Sequence, residues 1–89
     1  MSLSNIYFIL VRPQIGENIG SVARAIKNFN IKYLRIVNPR CNWPNQKAIA
    51  TSVGAKDILK SAKIYDSVEK SIGDLDIVFA SSSRVRKVN

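Results

Sequence analysis

Histidine is absent from this 89-residue sequence, and cysteine occurs only once, at Cys41. A single thiol excludes an internal disulfide, and without histidine no zinc site of ordinary composition can be assembled. Acidic residues are also scarce, six against 14 lysines and arginines, and the sequence has no carboxylate pair or Ser/His or Cys/His set. These absences argue against hydrolases and predict a metal-free protein of a reducing cytoplasm.

Long apolar segments are missing too. The apolar run Ile6–Val11 (IYFILV) is far too short to cross a membrane or to form the core of a signal peptide, and no basic region precedes it. We therefore expect no contact with a membrane. The hydrophobic content of 46% is ordinary for a globular protein, and the length allows one small domain at most, which we assign to residues 1–89.

Positive charge is abundant and unevenly distributed. The net charge is +8, and residues 1–47 alone carry seven basic residues against Glu17, a net charge of +6. Residues 48–80 are nearly neutral, and the last nine residues add Arg84, Arg86 and Lys87. A basic front and a basic tail around a neutral middle predict a polyanionic partner, for which nucleic acid is the usual candidate.

Hydrophobic periodicity alternates between strands and helices along the chain. Apolar runs predict four strands, at Ile6–Val11, Tyr33–Val37, Lys63–Tyr65 and Asp76–Ala80. Between them, helical spacing predicts helices from a capping Asn18 to about Asn30, and over Gln46–Val53, Lys56–Ser61 and Ser67–Ile72, the last capped by Ser67 or Asp66. This order predicts an α/β fold, a parallel sheet with helices on both faces.

The strongest local signal is the segment Asn18–Arg24 (NIGSVAR). On a helix, Gly20 and Arg24 lie one turn apart on the flank opposite the apolar residues. Gly20 would leave the backbone approachable near the positive helix N-terminus, and Arg24 would supply a forked, permanently charged donor, an arrangement that suits a phosphate. From spacing alone, an amphipathic helix with a solvated arginine is the simpler interpretation.

Three further features follow predicted strands, where parallel sheets bind ligands. Arg40 either contacts a ligand or belongs to a simple turn. Trp43 either stacks on a base or anchors the loop by packing, and we prefer packing. The segment Ser81–Arg84 follows the last predicted strand, and its hydroxyl and N–H groups are candidates for a polar ligand, unless it is a frayed terminus.

Several of these features together resemble the opening of SpoU-type RNA methyltransferases of the knotted SPOUT superfamily, over almost the whole chain. The family motif Asn-x-Gly-x-x-x-Arg-Ala is matched by Asn18, Gly20, Arg24 and Ala25. The order of later features also matches: Val37-Asn38-Pro39, the stretch from Ala48 to Leu59 with its Gly54-Ala55 pair, and the ending Ala80-Ser81-Ser82-Ser83-Arg84-Val85-Arg86, where serines replace a threonine and an alanine of the family pattern.

The resemblance implies the Rossmann-like front part of a trefoil-knot methyltransferase, a homodimer that transfers a methyl group from S-adenosylmethionine to a ribose 2′-hydroxyl of tRNA or rRNA. It places Asn18 and Arg24 in the catalytic site and Ser81, Ser82 and Ser83 in the first cofactor-contacting loop. Later family motifs are missing, so we expect an incomplete cofactor pocket, a fragment inactive by itself, and self-association through an exposed sheet edge.

The charge distribution and the resemblance together yield a set of predicted RNA contacts. These contacts are Arg12, Glu17, Ser21, Lys27, Arg40, Arg84 and Arg86. The alternative from another functional class is a non-catalytic RNA-binding α/β module or the product of a decayed gene. Both interpretations share the basic front half, so charge does not separate them.

Overall fold

The computed structural model describes residues 6–73 and the backbone of residues 77–82. Strands and helices alternate within it. The strands are β1 (Ile6–Val11), β2 (Tyr33–Val37), β3 (Lys63–Tyr65) and β4 (Ile77–Ser82). The helices are α1 (Gly16–Asn28), α2 (Gln46–Thr51), α3 (Lys56–Ser61) and α4 (Val68–Ile72). None of the described helices is both long and apolar enough to cross a membrane.

The four strands form one parallel sheet in the order β3-β2-β1-β4. Side chains alternate across it, so Leu34 and Ile36 join the apolar core while Arg35 between them reaches the opposite face and contacts α4. On the core face, helix α1 contacts both α2 and α3. The structure therefore confirms the predicted α/β fold, a parallel sheet covered by helices on both faces.

The core forms where the sheet meets α1, α2 and α3. Ile19, Ala23, Ile36 and Ala48 are fully buried, and apolar residues of α3 complete the cluster. The helical spacing of Ile19, Ala23 and Ile26 places one apolar stripe of α1 against the sheet. Phe29 does not continue this stripe, because it follows the last helical residue and is 70% exposed.

Some predicted boundaries were wrong, and tertiary contacts explain the differences. Helix α1 begins at Gly16, two residues before the proposed cap Asn18, and its N-cap residue Ile15 provides no side-chain hydrogen bond. The early start is set by packing, since Gly16 lies directly against Asn45. Helix α2 stops at Thr51 because the chain turns through Gly54, whose φ is +78°.

Two other helix ends follow local capping rules. Asn30 has the left-handed conformation, with a φ of 61°, just after α1, as predicted for the end of that helix. Of the two candidate caps for α4, the structure selects Ser67, whose hydroxyl accepts a hydrogen bond of 3.1 Å from the backbone N–H of Lys70.

A buried arginine fastens α4 to the sheet. Arg35 is only 5% exposed, and its guanidinium donates a 2.7 Å hydrogen bond to the carbonyl of Ser71. The same group lies 4.5 Å from the ring centre of Tyr7 and 5.2 Å from that of Tyr65. Tyr7 in turn stacks on Tyr33, with ring centres 4.6 Å apart. This planar, weakly hydrated cation suits an aromatic site better than an ammonium would.

We expect Arg35→Lys to lower the free energy of unfolding by about 1 kcal/mol, because lysine keeps the charge but loses the planar contact with the tyrosine rings. Chemical denaturation followed by circular dichroism measures this difference. Arg40→Lys is the matched control, since Arg40 is exposed and the same exchange there should change stability by less than about 0.5 kcal/mol. Equal effects at the two positions would contradict the structural role of Arg35.

Candidate functional site

Three neighbouring strands end at the same edge of the sheet. In the strand register Val11 is paired with Val37 on one side and with Ser82 on the other. The carboxyl ends of β1, β2 and β4 therefore lie side by side. This is the carboxyl edge, where parallel α/β sheets bind their ligands.

Backbone hydrogen bonds tie the loops at this edge together. The N–H of Arg12 donates to the carbonyl of Val37 over 2.7 Å, and the N–H of Arg40 donates to the carbonyl of Pro13 over 2.7 Å. The side-chain amide of Asn38 donates to the carbonyl of Asp66 over 2.9 Å. Arg12 and Asn38 both have left-handed backbones, with φ values of 52° and 46°. These contacts hold the edge in one arrangement before any ligand binds.

An open cleft of about 630 Å³ lies between the loop that precedes α1 and the loop that follows β2. Its lining includes Arg40, Lys47 and Glu17, together with polar side chains such as Gln14 and Asn42. The cleft therefore carries two cations and one carboxylate next to the first turn of α1. Such a surface suits an anionic, hydrogen-bonding ligand.

The two predicted catalytic residues lie apart on α1. Asn18 is half-buried in the first turn, close to the carboxyl edge, whereas Arg24 is exposed. From Gly16 to Arg24 the helix rises about 12 Å, and Asn18 and Arg24 are separated by roughly 120° around its axis. Within the described part of the chain, neither side chain has a hydrogen-bonding or ionic partner.

Gly20 has a different role from the one predicted. It is buried, and a Cβ atom there would collide with Thr51 and would lie 2.6 Å from the carbonyl oxygen of Ala48. Gly16, one turn earlier, is held equally close to Asn45. The two glycines thus let α1 approach α2. The prediction that the backbone at Gly20 is open to a phosphate was therefore wrong.

Of the predicted RNA contacts on α1, Ser21 and Lys27 are exposed and Glu17 is half-buried at the cleft. Lys27 already has a partner, since its ammonium donates a 2.8 Å hydrogen bond to the carboxylate of Asp57. This hydrogen bond lowers the pKa of the Asp57 carboxyl below its ordinary value. An RNA phosphate at Lys27 would have to compete with that carboxylate.

The predicted cofactor loop begins later than expected. Strand β4 runs to Ser82 rather than to Ala80, and Ser81 and Ser82 pair with Leu10 and Val11 of β1. β4 continues to pair with β1 up to Val11, the last residue of β1. The length of β4 therefore depends on its partner strand, which the local sequence around Ala80 does not reveal. Ser83, Arg84 and Arg86 lie outside the described residues.

Comparison with known proteins identifies the family behind this arrangement. A model of the SpoU rRNA methylase family matches residues 5–87, almost the entire chain.

The chain belongs to the SpoU rRNA methylase family.

Named relatives of this SpoU family member modify tRNA. It is 43% identical over 74 residues to the tRNA (cytidine-2′-O-)-methyltransferase TrmJ of Methanocaldococcus jannaschii, covering 83% of the chain and 32% of that protein. It is 39% identical over 87 residues to the tRNA (cytidine/uridine-2′-O-)-methyltransferase TrmJ of Photorhabdus laumondii, covering 98% of the chain and 36% of that protein. The chain thus spans about a third of the length of these relatives.

Solved structures support the same assignment. The crystal structure of TrmJ from Z. mobilis superposes with a TM-score of 0.78 at 43% identity, over 93% of this SpoU chain and 37% of that one. A probable methylase family protein from Haemophilus influenzae superposes with a TM-score of 0.81 at 34% identity, over 97% of this chain and 35% of that one. The resemblance inferred from the motifs is therefore confirmed at the level of both sequence and fold.

Two features of this surface were not predicted from the sequence. The first is the Gly16 and Gly20 pair, whose spacing of four residues is the signal that identifies a close helix contact. The second is the placement of Trp43. It packs partly buried against the core, which confirms the preferred interpretation, but it also lines an apolar groove beside the cleft. No sequence pattern indicated that groove.

Proposed function

We propose that this chain is the substrate-facing part of an S-adenosylmethionine-dependent tRNA ribose 2′-O-methyltransferase of the cytoplasm. The observation that supports this proposal most is the strand register at the carboxyl edge, where β4 ends level with β1. Helix α1, which carries the family motif, is the next element after β1. Two elements that the family uses for chemistry thus border one edge of the sheet. The basic front half fits an RNA substrate.

Ser81 and Ser82 at the end of β4, together with Ser83, are proposed to contact S-adenosylmethionine, which supplies an electrophilic methyl group when bound. The position fits, because β4 ends beside β1 at the ligand-binding edge of the sheet. Asn18 is proposed to orient the substrate ribose from the first turn of α1. The edge position of Asn18 and its half-exposed side chain support this role.

Arg24 is proposed to bind the phosphate next to the reacting ribose. The 2′-hydroxyl has to lose its proton as it attacks the methyl group, and arginine stays protonated at ordinary pH, so it is a poor base. A fixed guanidinium instead orients the phosphate and stabilises developing alkoxide charge. Arg24 lies about 12 Å along α1 from Gly16, the end of the helix that is nearer the carboxyl edge. That separation favours a homodimer in which Arg24 of one chain serves the edge of the other.

The test is methyl transfer by the natural gene product that contains these residues. With labelled S-adenosylmethionine we expect label in tRNA, and nuclease digestion followed by mass spectrometry should place it on a ribose. rRNA and a DNA of the same sequence serve as comparison substrates, and DNA should remain unlabelled because it has no 2′-hydroxyl. Label on a base would contradict the proposal. Tight tRNA binding without any transfer would instead support the non-catalytic module.

A further inference from the structure

A second surface, outside the family motif, has the composition of a site for single-stranded nucleic acid. It is an apolar groove of about 280 Å³ with Trp43, Ile49, Leu59 and Ala62 among its lining residues. Lys56 and Lys60 also line it, one helical turn apart on α3, and both are exposed. We call this the Trp43 groove.

The Trp43 groove adjoins the carboxyl-edge cleft. Pro44 and Asn45 line both, so they form the ridge between the two depressions. Arg40 and Lys47 lie on one side of this ridge, and Lys56 and Lys60 lie on the other. None of these four cations forms an ion pair with another described residue. Their charges are therefore available to a ligand in either of the two adjoining depressions.

The ridge is held in place by hydrogen bonds and packing. The side chain of Asn45 accepts a 3.0 Å hydrogen bond from the N–H of Ala48 and so caps α2. Trp43 packs against the apolar core. The aromatic ring is thus fixed before binding, so little conformational entropy is lost when a partner stacks on it.

An aromatic wall with lysines on its rim matches the way proteins bind single strands. Bases stack on aromatic side chains irrespective of their identity, and cations along the groove follow the phosphates. An acidic apolar peptide would satisfy the charge, but it would leave no role for the neighbouring polar cleft with its two further cations. The presence of two cations in each of the two adjoining depressions favours a polyanionic strand over a short peptide.

We infer that the Trp43 groove binds an unstacked base of a single-stranded RNA segment whose phosphates contact Lys56 and Lys60. This inference rests on the proposed function and deepens it. The strand would run from the carboxyl-edge cleft over the Pro44–Asn45 ridge, so the base in the groove belongs to a nucleotide flanking the modified ribose.

The experiment uses the intrinsic fluorescence of Trp43, the only tryptophan of the chain. A single-stranded hexaribonucleotide should quench this emission, because stacking brings a base onto the indole. An abasic strand with the same phosphates should quench little and bind about tenfold more weakly or worse, the loss associated with one stacked base. Equal quenching by both strands would overturn the inference, and stronger quenching by an acidic peptide would assign the groove to a protein partner.

The double variant Lys56→Gln/Lys60→Gln tests the rim. The slope of log affinity against log salt is negative, and losing two phosphate contacts should make it less steep by about 1.4. The charge-matched control Lys32→Gln/Lys70→Gln removes two exposed lysines that line neither depression and should leave quenching by the hexaribonucleotide unchanged. If both double variants behave alike, the groove is not the binding site.

Methyl transfer by the unvaried natural gene product is measured in parallel. If that enzyme modifies tRNA ribose while the Lys56→Gln/Lys60→Gln variant keeps its KM for tRNA, the groove inference fails and the proposed function stands. If the unvaried enzyme modifies no RNA, the proposed function fails. In that case base-dependent quenching still identifies the groove as a site for single-stranded RNA.

Discussion

Arg24→Ala in the natural gene product should lower the rate of methyl transfer to tRNA by at least about 100-fold, the loss seen when a donor to the transition state is removed. Stability should hardly change. Arg24 is exposed and lacks a hydrogen-bonding or ionic partner among the described residues, and alanine is the better helix former. Single-turnover transfer of labelled methyl groups measures the first effect, and thermal unfolding measures the second.

Two further variants define what Arg24 contributes. Arg24→Lys keeps the positive charge but not the forked donor, so a rate between those of the wild type and Arg24→Ala would indicate bidentate phosphate contact. Lys32→Ala removes an exposed cation beyond the end of α1 and should change the rate little. Near-normal turnover by Arg24→Ala would remove this residue from the site, and a collapsed melting temperature would assign it a structural role.

Gly20→Ala should destabilise the protein by about 2 kcal/mol, although alanine favours helices over glycine by roughly 1 kcal/mol. The added methyl group would collide with Thr51 and lie 2.6 Å from the carbonyl oxygen of Ala48, so α1 and α2 would have to move apart. In a domain of this size, such a loss lowers the melting temperature by roughly 10 °C. Differential scanning calorimetry gives a direct measurement.

Ser21→Ala is the matched control for this prediction. Ser21 is the next residue of the same helix and is exposed, so its replacement should alter stability by less than about 0.5 kcal/mol. A Gly20→Ala variant that is as stable as wild type would show that the helices can separate freely. Together with Arg24→Ala, the experiment divides the family motif into a packing residue and a chemical one.

Local sequence was sufficient for most of the secondary structure. Ile6–Val11 and Tyr33–Val37 are runs of β-branched and aromatic residues, and both form strands with the predicted bounds. Lys56–Ser61 and Lys63–Tyr65 were also predicted to the residue. These signals are readable because hydrophobic periodicity and capping act over a few neighbouring residues.

The motif on α1 was also recognisable from sequence, but the roles of its members were not. Gly20 looks like an opening for phosphate until α2 is placed against it. Asn18 looks like a helix cap until contact between Gly16 and Asn45 sets an earlier start. In both cases the deciding partner lies about 30 residues further along the chain, beyond the reach of any local pattern.

The sequence by itself determined the alternation of strands and helices, the basic front half and the family motif, because these properties reside in neighbouring residues and in composition. Only the tertiary structure decided that β4 extends to Ser82, that Arg35 is buried among tyrosines, and that Trp43 faces a groove with Lys56 and Lys60 on its rim. Each of these depends on strand register or on packing between distant segments, and such contacts exist only once the sheet has formed.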